Sequence, residues 1–443
     1  YYKTFKWPGK FWEFYEDFIR NAAGMGQAPR DPDPERYDHR MEYCDVLVIG
    51  GGTAGLAAAH IASKSGARVI LADEQSELGG ATLNDRTDSP WIEQILSDLQ
   101  GADESKVLTR TTVAGAYNQN YYTMLEKVSD HIPPSARHET TPRQRLWHVR
   151  AKRVVLAAGM IERHLVFHQN ERPGVMLAGA TRAYLNRFGV AAGKKIAFAT
   201  NNNSAYAAAF DHHEAGAHVE AIIDIRHNPP AALVKECEDR GIKLRAGYSI
   251  TGTEGRKRIR AAHIQPVDKN GRLYADGRDF VECDLLGISG GWNPTVHILS
   301  QKKGPLEYDN SLHSFVPKQD EFDGLIPAGG CNGTLSYKDA LEQGYDAGKK
   351  ALEGAGLKPK AVKELGKPDM PEEGQSGLDL MPLWEWPTLN ASHKTRAWVD
   401  IQNDVTSKDL KLALKEGYSS VEHVKRYTTT GMGTDQGKTG SLT

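Results

Sequence analysis

Cys44-Asp45-Val46-Leu47-Val48-Ile49-Gly50-Gly51-Gly52-Thr53-Ala54-Gly55-Leu56-Ala57-Ala58-Ala59 is the stretch on which the reading of this chain turns. A short apolar run meets a G-x-G-x-x-G turn and passes into an alanine-rich helix. Ala67-Arg68-Val69-Ile70-Leu71-Ala72 then forms a second apolar strand that ends on Asp73 and Glu74. The glycines therefore stand in a strand–turn–helix–strand context, with the acidic end about 20 residues beyond them. Gly50 permits the tight turn, Gly52 lets the backbone approach a pyrophosphate, and Gly55 lets helix and strand pack closely. The helix start, with Thr53 and Ala54, offers N–H groups and the positive end of the helix dipole to phosphates. Asp73 or Glu74 is placed to accept hydrogen bonds from an adenosine ribose, and Leu78-Gly79-Gly80 follows. An adenine dinucleotide is the expected ligand. An ordinary strand–turn–helix whose glycines serve packing alone is the other reading, and the second strand with its acidic end weighs against it.

A chain of 443 residues has room for two or three domains at about 150 residues each. With 39% hydrophobic and 25% charged residues, the composition is that of a soluble globular protein. A net charge of −2 gives no electrostatic reason to expect nucleic acid or an anionic membrane as partner. No apolar run approaches the roughly 18 residues of a membrane helix. Cys44, Cys237, Cys283 and Cys331 are far apart and never form C-x-x-C, which argues against a redox dithiol, an iron–sulfur cluster or a zinc knuckle. Four free thiols suit a reducing compartment, so a cytoplasmic location is expected. The sequence begins at Tyr1 without a signal-like apolar stretch and is expected to be a piece of a longer chain.

Near the start, Trp12, Tyr15, Phe18 and Ile19 follow helical spacing, and a Pro-rich connector runs from Pro29 to Pro34. The apolar face of that helix either packs on its own domain or braces another subunit. Beyond Gly80 the pattern predicts a helix over 91–99. Residues 106–113, 121–126 and 145–150 read as an antiparallel excursion, and 153–159 as a buried strand ending on Ala158-Gly159. A second strand–turn–helix–strand unit begins at Lys194, with its strand over 195–199, the turn Asn201-Asn202-Asn203-Ser204, a helix over 205–214 and a strand over 218–224. That turn has no glycine. Asparagine tolerates left-handed backbone, yet close approach by a pyrophosphate is not expected there. A helix over 231–240 and strands to 283 follow, and 283–289 returns as a buried strand. A short strand from Leu325 leads into a helix over 336–352, whose Gly344 and Gly348 are placed for close packing. A Pro-, Lys- and Glu-rich linker covers roughly 355–375, and helical stretches lie around 409–416 and 420–426.

The order of these parts resembles the two-dinucleotide flavoproteins of the glutathione reductase type. Narrower motifs resemble the alpha subunits of heterotetrameric sarcosine oxidases: Ala72-Asp73-Glu74-Gln75, Arg145-Leu146-Trp147, Glu162-Arg163, Arg172-Pro173-Gly174-Val175-Met176-Leu177-Ala178, Thr200-Asn201-Asn202, Ser289-Gly290-Gly291-Trp292-Asn293-Pro294 and Asp435-Gln436-Gly437-Lys438-Thr439. They occur in order over nearly the whole chain. The resemblance implies an α/β, glutathione-reductase-like two-dinucleotide-binding-domain fold with a small helical C-terminal segment. Its expected parts are an N-terminal helix and connector (1–40), a dinucleotide-binding domain (41–190 and 284–356), an inserted second Rossmann-like domain with a degenerate loop (191–283), and a linker with a helical segment (357–443). It further implies that this domain holds NAD, that a beta-type partner subunit carries FAD and oxidises the amine, and that an FMN held by that partner sits at the alpha–beta boundary. Further small subunits are implied as well. The overall reaction would be oxidative demethylation of sarcosine to glycine, formaldehyde and hydrogen peroxide, with no catalytic acid or base in this chain. Folate-linked formaldehyde capture, usual for another domain of that family, is not assigned to these residues. A self-sufficient FAD-dependent oxidoreductase and a non-catalytic nucleotide-binding scaffold of a related amine dehydrogenase complex are the competing readings.

The expected NAD site comprises Gly50, Gly52, Thr53, Ala54, Gly55 and Asp73, with Glu74, Gly80, Val113, Ala158, Gly159 and Gly330 around it. In flavin-binding relatives the late strand ends in Gly-Asp, whose carboxylate holds the ribityl hydroxyls. Here Gly330 is followed by Cys331 and Asn332, and a thiol, a weak acceptor, cannot replace that carboxylate. Thr434, Gln436 and Lys438 lie on a glycine-flexible loop and either meet a flavin at a subunit boundary or belong to a solvated tail. A Walker A loop is rejected because Met432 stands where its first glycine is needed. Adjacent His212 and His213 point to different sides of a helix, so no shared metal is expected. Glu162-Arg163 reads as an ion pair or turn anchor, Cys331 as a small buried filler, and Trp384, Trp386 and Trp398 as packing or a subunit contact.

Overall fold

Helix α1 (Trp12–Ala22) precedes β1 (Tyr37–Ile49), which is polar at its start and buried from Val46 onward. α2 (Thr53–Lys64) carries the chain to β2 (Val69–Ala72), and α3 (Pro90–Gln100) to β3 (Ser105–Leu108). Then follow β4 (Thr111–Tyr117), β5 (Tyr121–Glu126), β6 (Gln144–Leu156) and the short β7 (Met160–Glu162). A second group comprises β8 (Val175–Leu177), α4 (Ala178–Phe188), β9 (Lys195–Thr200), α5 (Ser204–Glu214), β10 (His218–Asp224), α6 (Ala231–Asp239) and β11 (Leu244–Ala246). An antiparallel sheet of β12 (Tyr248–Glu254), β13 (Ala261–Pro266) and β14 (Asp279–Glu282) precedes β15 (Leu285–Ser289), β16 (Trp292–Pro294) and α7 (His297–Gln301). The hairpin of β17 (Leu306–Asp309) and β18 (Ser314–Pro317) leads to β19 (Leu325–Pro327) and α8 (Tyr337–Gly354). The C-terminal part holds β20 (Trp398–Asp400), β21 (Val405–Thr406), α9 (Ser407–Lys415) and α10 (Val421–Thr428). This computed structural model describes residues 11–24, 26, 29–84, 90–361, 377–388 and 396–442; most of the linker expected over 355–375 lies outside them.

The first sheet runs β3-β2-β1-β6-β5-β4, with β19 beside β6. β1, β2 and β3 are parallel and β19 is parallel to β6, while β4 and β5 form an antiparallel hairpin. Two expected boundaries differ. Residues 145–150 and 153–159 are not separate strands but one thirteen-residue β6, because Ala151 is buried and the pairing continues through it. Residues 106–113, in contrast, split into β3 and β4 at Arg110, whose φ of +51° breaks the strand.

α2 is buried along most of its length, with the sheet on one side and α8 on the other. Gly344 and Gly348 make that helix contact possible. A Cβ on Gly344 would lie 2.2 Å from the Ala54 carbonyl oxygen, and one on Gly348 2.5 Å from Ile61 Cγ2.

The second sheet, β11-β10-β9-β15-β8, is parallel throughout. It draws on Val175–Leu177 and Leu285–Ser289, which lie on either side of the 191–283 expected for the insert. β15 is buried at every residue and needs neighbours on both edges.

By compactness the chain divides into a small unit, Tyr1–Asp38 with Val128–Arg145, and a large one holding both sheets. In the small unit Asp130 gathers Arg143 and Gln144, and Arg137 pairs with Glu35. α1 forms as its spacing predicts, yet none of its residues is buried, and Phe14 and Phe18 are more than 70% exposed. All four cysteines are buried and unbridged. Among the described residues no helix is long and apolar enough to cross a membrane.

Candidate dinucleotide-binding site

The turn between β1 and α2 sits at the carboxyl edge of the first parallel sheet, where open α/β sheets bind ligands. Two of its glycines are required by the protein itself. Gly50 has φ +101°, and a Cβ there would meet the Ala157 carbonyl oxygen at 2.3 Å. A Cβ on Gly55 would lie 1.8 Å from the Gly50 carbonyl oxygen. Gly52 differs: its φ is an ordinary −79°, and a Cβ would find only Gly80 Cα at 3.7 Å. Among the described residues nothing demands a glycine at 52, which leaves an open cradle above the helix start. No side chain caps α2 at Gly52, so its first N–H groups, including those of Thr53 and Ala54, lack intrahelical acceptors.

The acid at the end of β2 closes the same site. Asp73 accepts the Gly51 amide through Oδ2 at 2.5 Å and the Gln75 amide through Oδ1 at 2.7 Å. A carboxylate has capacity for further donors. Glu74 is exposed beside it. Gly80 (φ +59°) backs onto Gly52, and Gly79 bridges to it.

On the opposite side Gly159 (φ +69°) faces open space. Its carbonyl accepts the Thr295 amide at 2.9 Å, and the Thr295 hydroxyl is buried with no hydrogen-bond partner among the described residues. Gly330 is held against Met160 and Gly159, each within 3.2 Å of a Cβ built there. Ala158 is partly buried at the end of β6, whereas Val113 packs into the core with Met124 and Ala72. An uncapped helix start, an open glycine and an orphan hydroxyl fit a bound dinucleotide.

Cys331 offers no carboxylate to this space. It is fully buried, its Sγ donates to the Leu156 carbonyl at 2.8 Å, and burial pushes the thiol up to about 11. It is the core filler its chemistry suggested.

Glu162 and Arg163 are not paired with each other, and the turn-anchor reading is the one observed. Arg163 is fully buried; it donates to the carbonyls of His313 (2.9 Å) and Leu312 (2.8 Å) and lies over the Trp384 ring. Burial lowers it to about 10. Glu162 accepts the Gly179 amide at the start of α4 at 2.8 Å, and burial raises its carboxyl to about 7 against the opposing hydrogen bonds from Ser289 and Gly179. Trp386 is buried in the second core.

The C-terminal loop is built around Asp435, which accepts the Gly437 amide and the Thr439 hydroxyl, each at 2.9 Å. Asp400 accepts the Gly431 amide at 2.8 Å. Thr434, Gln436 and Lys438 are left exposed. Lys438 lies close enough to His297 to add to the burial that pushes this imidazole down to about 4. His297 is two residues beyond Thr295. The loop and the Gly159 side of the cleft, separate in sequence, are therefore linked through residues 295–297, which the sequence did not single out.

Two family models match: FAD dependent oxidoreductase over residues 45–170 and Sarcosine oxidase A3 domain over 394–443. Sarcosine oxidase subunit alpha of Rhizobium meliloti (strain 1021) is 40% identical over 99% of this chain and 43% of its own length. That of Corynebacterium sp. (strain U-96) is 39% identical over 95% of this chain and 44% of its own. Over nearly its whole length the chain is similar to sarcosine oxidase alpha subunits. It spans a little under half the length of these curated relatives. Among solved structures, L-proline dehydrogenase from P. horikoshii superposes with a TM-score of 0.63 over 94% of this chain and 75% of that one, at 20% identity. That likeness supports the two-dinucleotide fold. The alpha-subunit match joins the cleft at 45–170 and the loop at 434–438 within one family.

Proposed function

We propose that this chain is the NAD-binding part of the alpha-type subunit of a sarcosine oxidase-like complex, in which sarcosine is converted to glycine, formaldehyde and hydrogen peroxide with oxygen and water consumed. The observation that carries the reading is the open glycine at 52 over an uncapped helix start, in a chain whose relatives are sarcosine oxidase alpha subunits. NAD would be held by the turn Gly50–Gly55, by Asp73 and Glu74 at the ribose, and by Gly80, Ala158, Gly159 and Gly330 around it. FAD on a beta-type partner and FMN at the boundary would supply the two-electron oxidation of the amine and return the electrons to oxygen. This chain's part is to bind and to shape. Thr434, Gln436 and Lys438 would present an exposed hydroxyl, amide and ammonium to that boundary, on a loop that Asp435 holds through the Gly437 amide and the Thr439 hydroxyl. A cytoplasmic heteromeric complex with a beta-type FAD subunit and further small subunits goes with this reading.

NAD is favoured over FAD because position 331 holds a buried thiol, which offers no carboxylate to a ribityl chain. The second reading, a self-sufficient FAD enzyme, draws on the description of the model matched at 45–170. Mass analysis of the small molecules released when the purified chain is denatured separates the two: NAD without flavin is expected, and stoichiometric FAD would overturn the proposal.

A further inference from the structure

In the second parallel sheet, groups that such a crossover offers to a dinucleotide are taken by the chain itself. The amide of Asn203, at the start of α5, donates to the Leu378 carbonyl at 2.9 Å. The Asn201 carbonyl accepts the Met381 amide at 2.9 Å, and the Asn201 side-chain amide donates back to the Met381 carbonyl at 3.0 Å. Asp224, the acid at the end of β10, is fully buried, held by the Tyr206 hydroxyl at 2.7 Å and by Arg226 at 2.6 Å. Arg226 then reaches outward to the Asp379 carbonyl at 2.7 Å and its carboxylate at 3.1 Å. Helix start, turn and strand-end acid are the features that bind pyrophosphate and ribose in this architecture. Neither helix start carries a side-chain cap at its N-cap residue, but here the Leu378 carbonyl takes the Asn203 amide.

We infer that the second strand–turn–helix is a peptide-binding site whose ligand is the chain's own segment 377–386, docked along the turn where a second dinucleotide would lie. The missing glycines follow. A backbone carbonyl approaches an asparagine turn without the close fit that a pyrophosphate needs, and the asparagine amides supply donors to it. The segment continues past this site: the Trp386 amide donates to the Val166 carbonyl at 2.7 Å, and Trp384 Nε1 to the Gly290 carbonyl at 2.7 Å. It thereby ties the chain leading to the C-terminal segment onto both crossovers between the sheets. This lobe accordingly takes no nucleotide.

Hydrogen exchange on the protein in its isolated complex tests this without reference to the first cleft. Amides of Met381 and Trp386 are expected to exchange at least about 100-fold more slowly than in a free peptide. Asp379→Ala, a change at an exposed side chain, and Asn201→Ala should each speed exchange across 378–383 up to about tenfold, as the loss of one or two hydrogen bonds allows, while peptides from β10 stay unchanged. Millimolar NADPH should alter nothing. Free-peptide exchange at Met381 in the unmodified protein would overturn the inference. So would a saturable acceleration by NADPH, which would make the segment a gate over a working nucleotide site.

Discussion

The Gly51 amide donates to the Asp73 carboxylate at 2.5 Å, so the turn after β1 and the acid after β2 form one unit. Asp73→Ala removes the acceptor for two backbone amides at a partly exposed site. A stability loss of about 1 kcal/mol is expected by denaturant titration, together with loss of copurifying nucleotide. Asp73→Asn keeps an oxygen acceptor and should recover stability more fully than nucleotide content.

Gly52 and Gly55 should part company on substitution. A Cβ at 55 collides with the Gly50 carbonyl, so Gly55→Ala should cost about 3 kcal/mol or fail to fold. A Cβ at 52 meets only Gly80 at 3.7 Å. Gly52→Ala should change stability by less than about 1 kcal/mol and weaken dinucleotide binding about tenfold or more, a difference of 1.4 kcal/mol. Equal stability losses at both positions would remove the case for an open cradle.

Glu162 makes stability depend on pH in an uncommon direction. Burial raises its carboxyl from 4.5 to about 7, so between these values the folded state holds a proton that the unfolded state has released. Stability then falls as pH rises through that window, by about 3 kcal/mol in total from this group. Glu162→Gln keeps an acceptor for the Gly179 amide and should flatten this part of the profile in urea titrations from pH 4.5 to 8.

Lys438→Gln changes an exposed side chain and should alter the chain's stability by no more than about 0.5 kcal/mol. It should raise the pKa of His297 from about 4, though burial, the larger cause, will keep it below 6.5. An imidazole NMR titration reads this shift. In the assembled complex, the proposed flavin contact predicts slower turnover for the same variant; unchanged turnover would leave the loop without that role.

Cys331→Asp would restore the carboxylate that flavin-binding relatives carry. Because the side chain at 331 is fully buried, the expected result is a loss of about 3 kcal/mol or more from a buried acid, with no gain of flavin absorbance. Cys331→Ser, which can still donate to the Leu156 carbonyl, should be far milder.

Much of the fold is legible in the sequence because it is written in local periods. The glycine fingerprint, the alanine-rich α2, the strand ending on Asp73 and the helix with Gly344 and Gly348 each combine a repeat with a chain-breaking residue, and all appear close to where the pattern puts them. β6 is read as two strands because Ala151-Lys152 falls between the runs 145–150 and 153–159, whereas burial alternates through that pair within one strand. The candidate cleft is legible in its turn and its acid. Thr295, placed there by a hydrogen bond to a residue 136 positions earlier (Gly159), carries no local signal.

The order of residues along the chain determines that one crossover carries the glycine turn and strand-end acid of a dinucleotide fingerprint and that the other lacks the glycines to match it, since turn geometry and helix starts depend on neighbours a few positions apart. Only the tertiary structure decides what the Cys331 thiol bonds to, that Lys438 comes within electrostatic reach of His297, and that a segment some 175 residues downstream lies across the asparagine turn. Those outcomes depend on which buried donors and acceptors find one another once both sheets have formed, and satisfying them is a global condition that no short stretch of sequence can state.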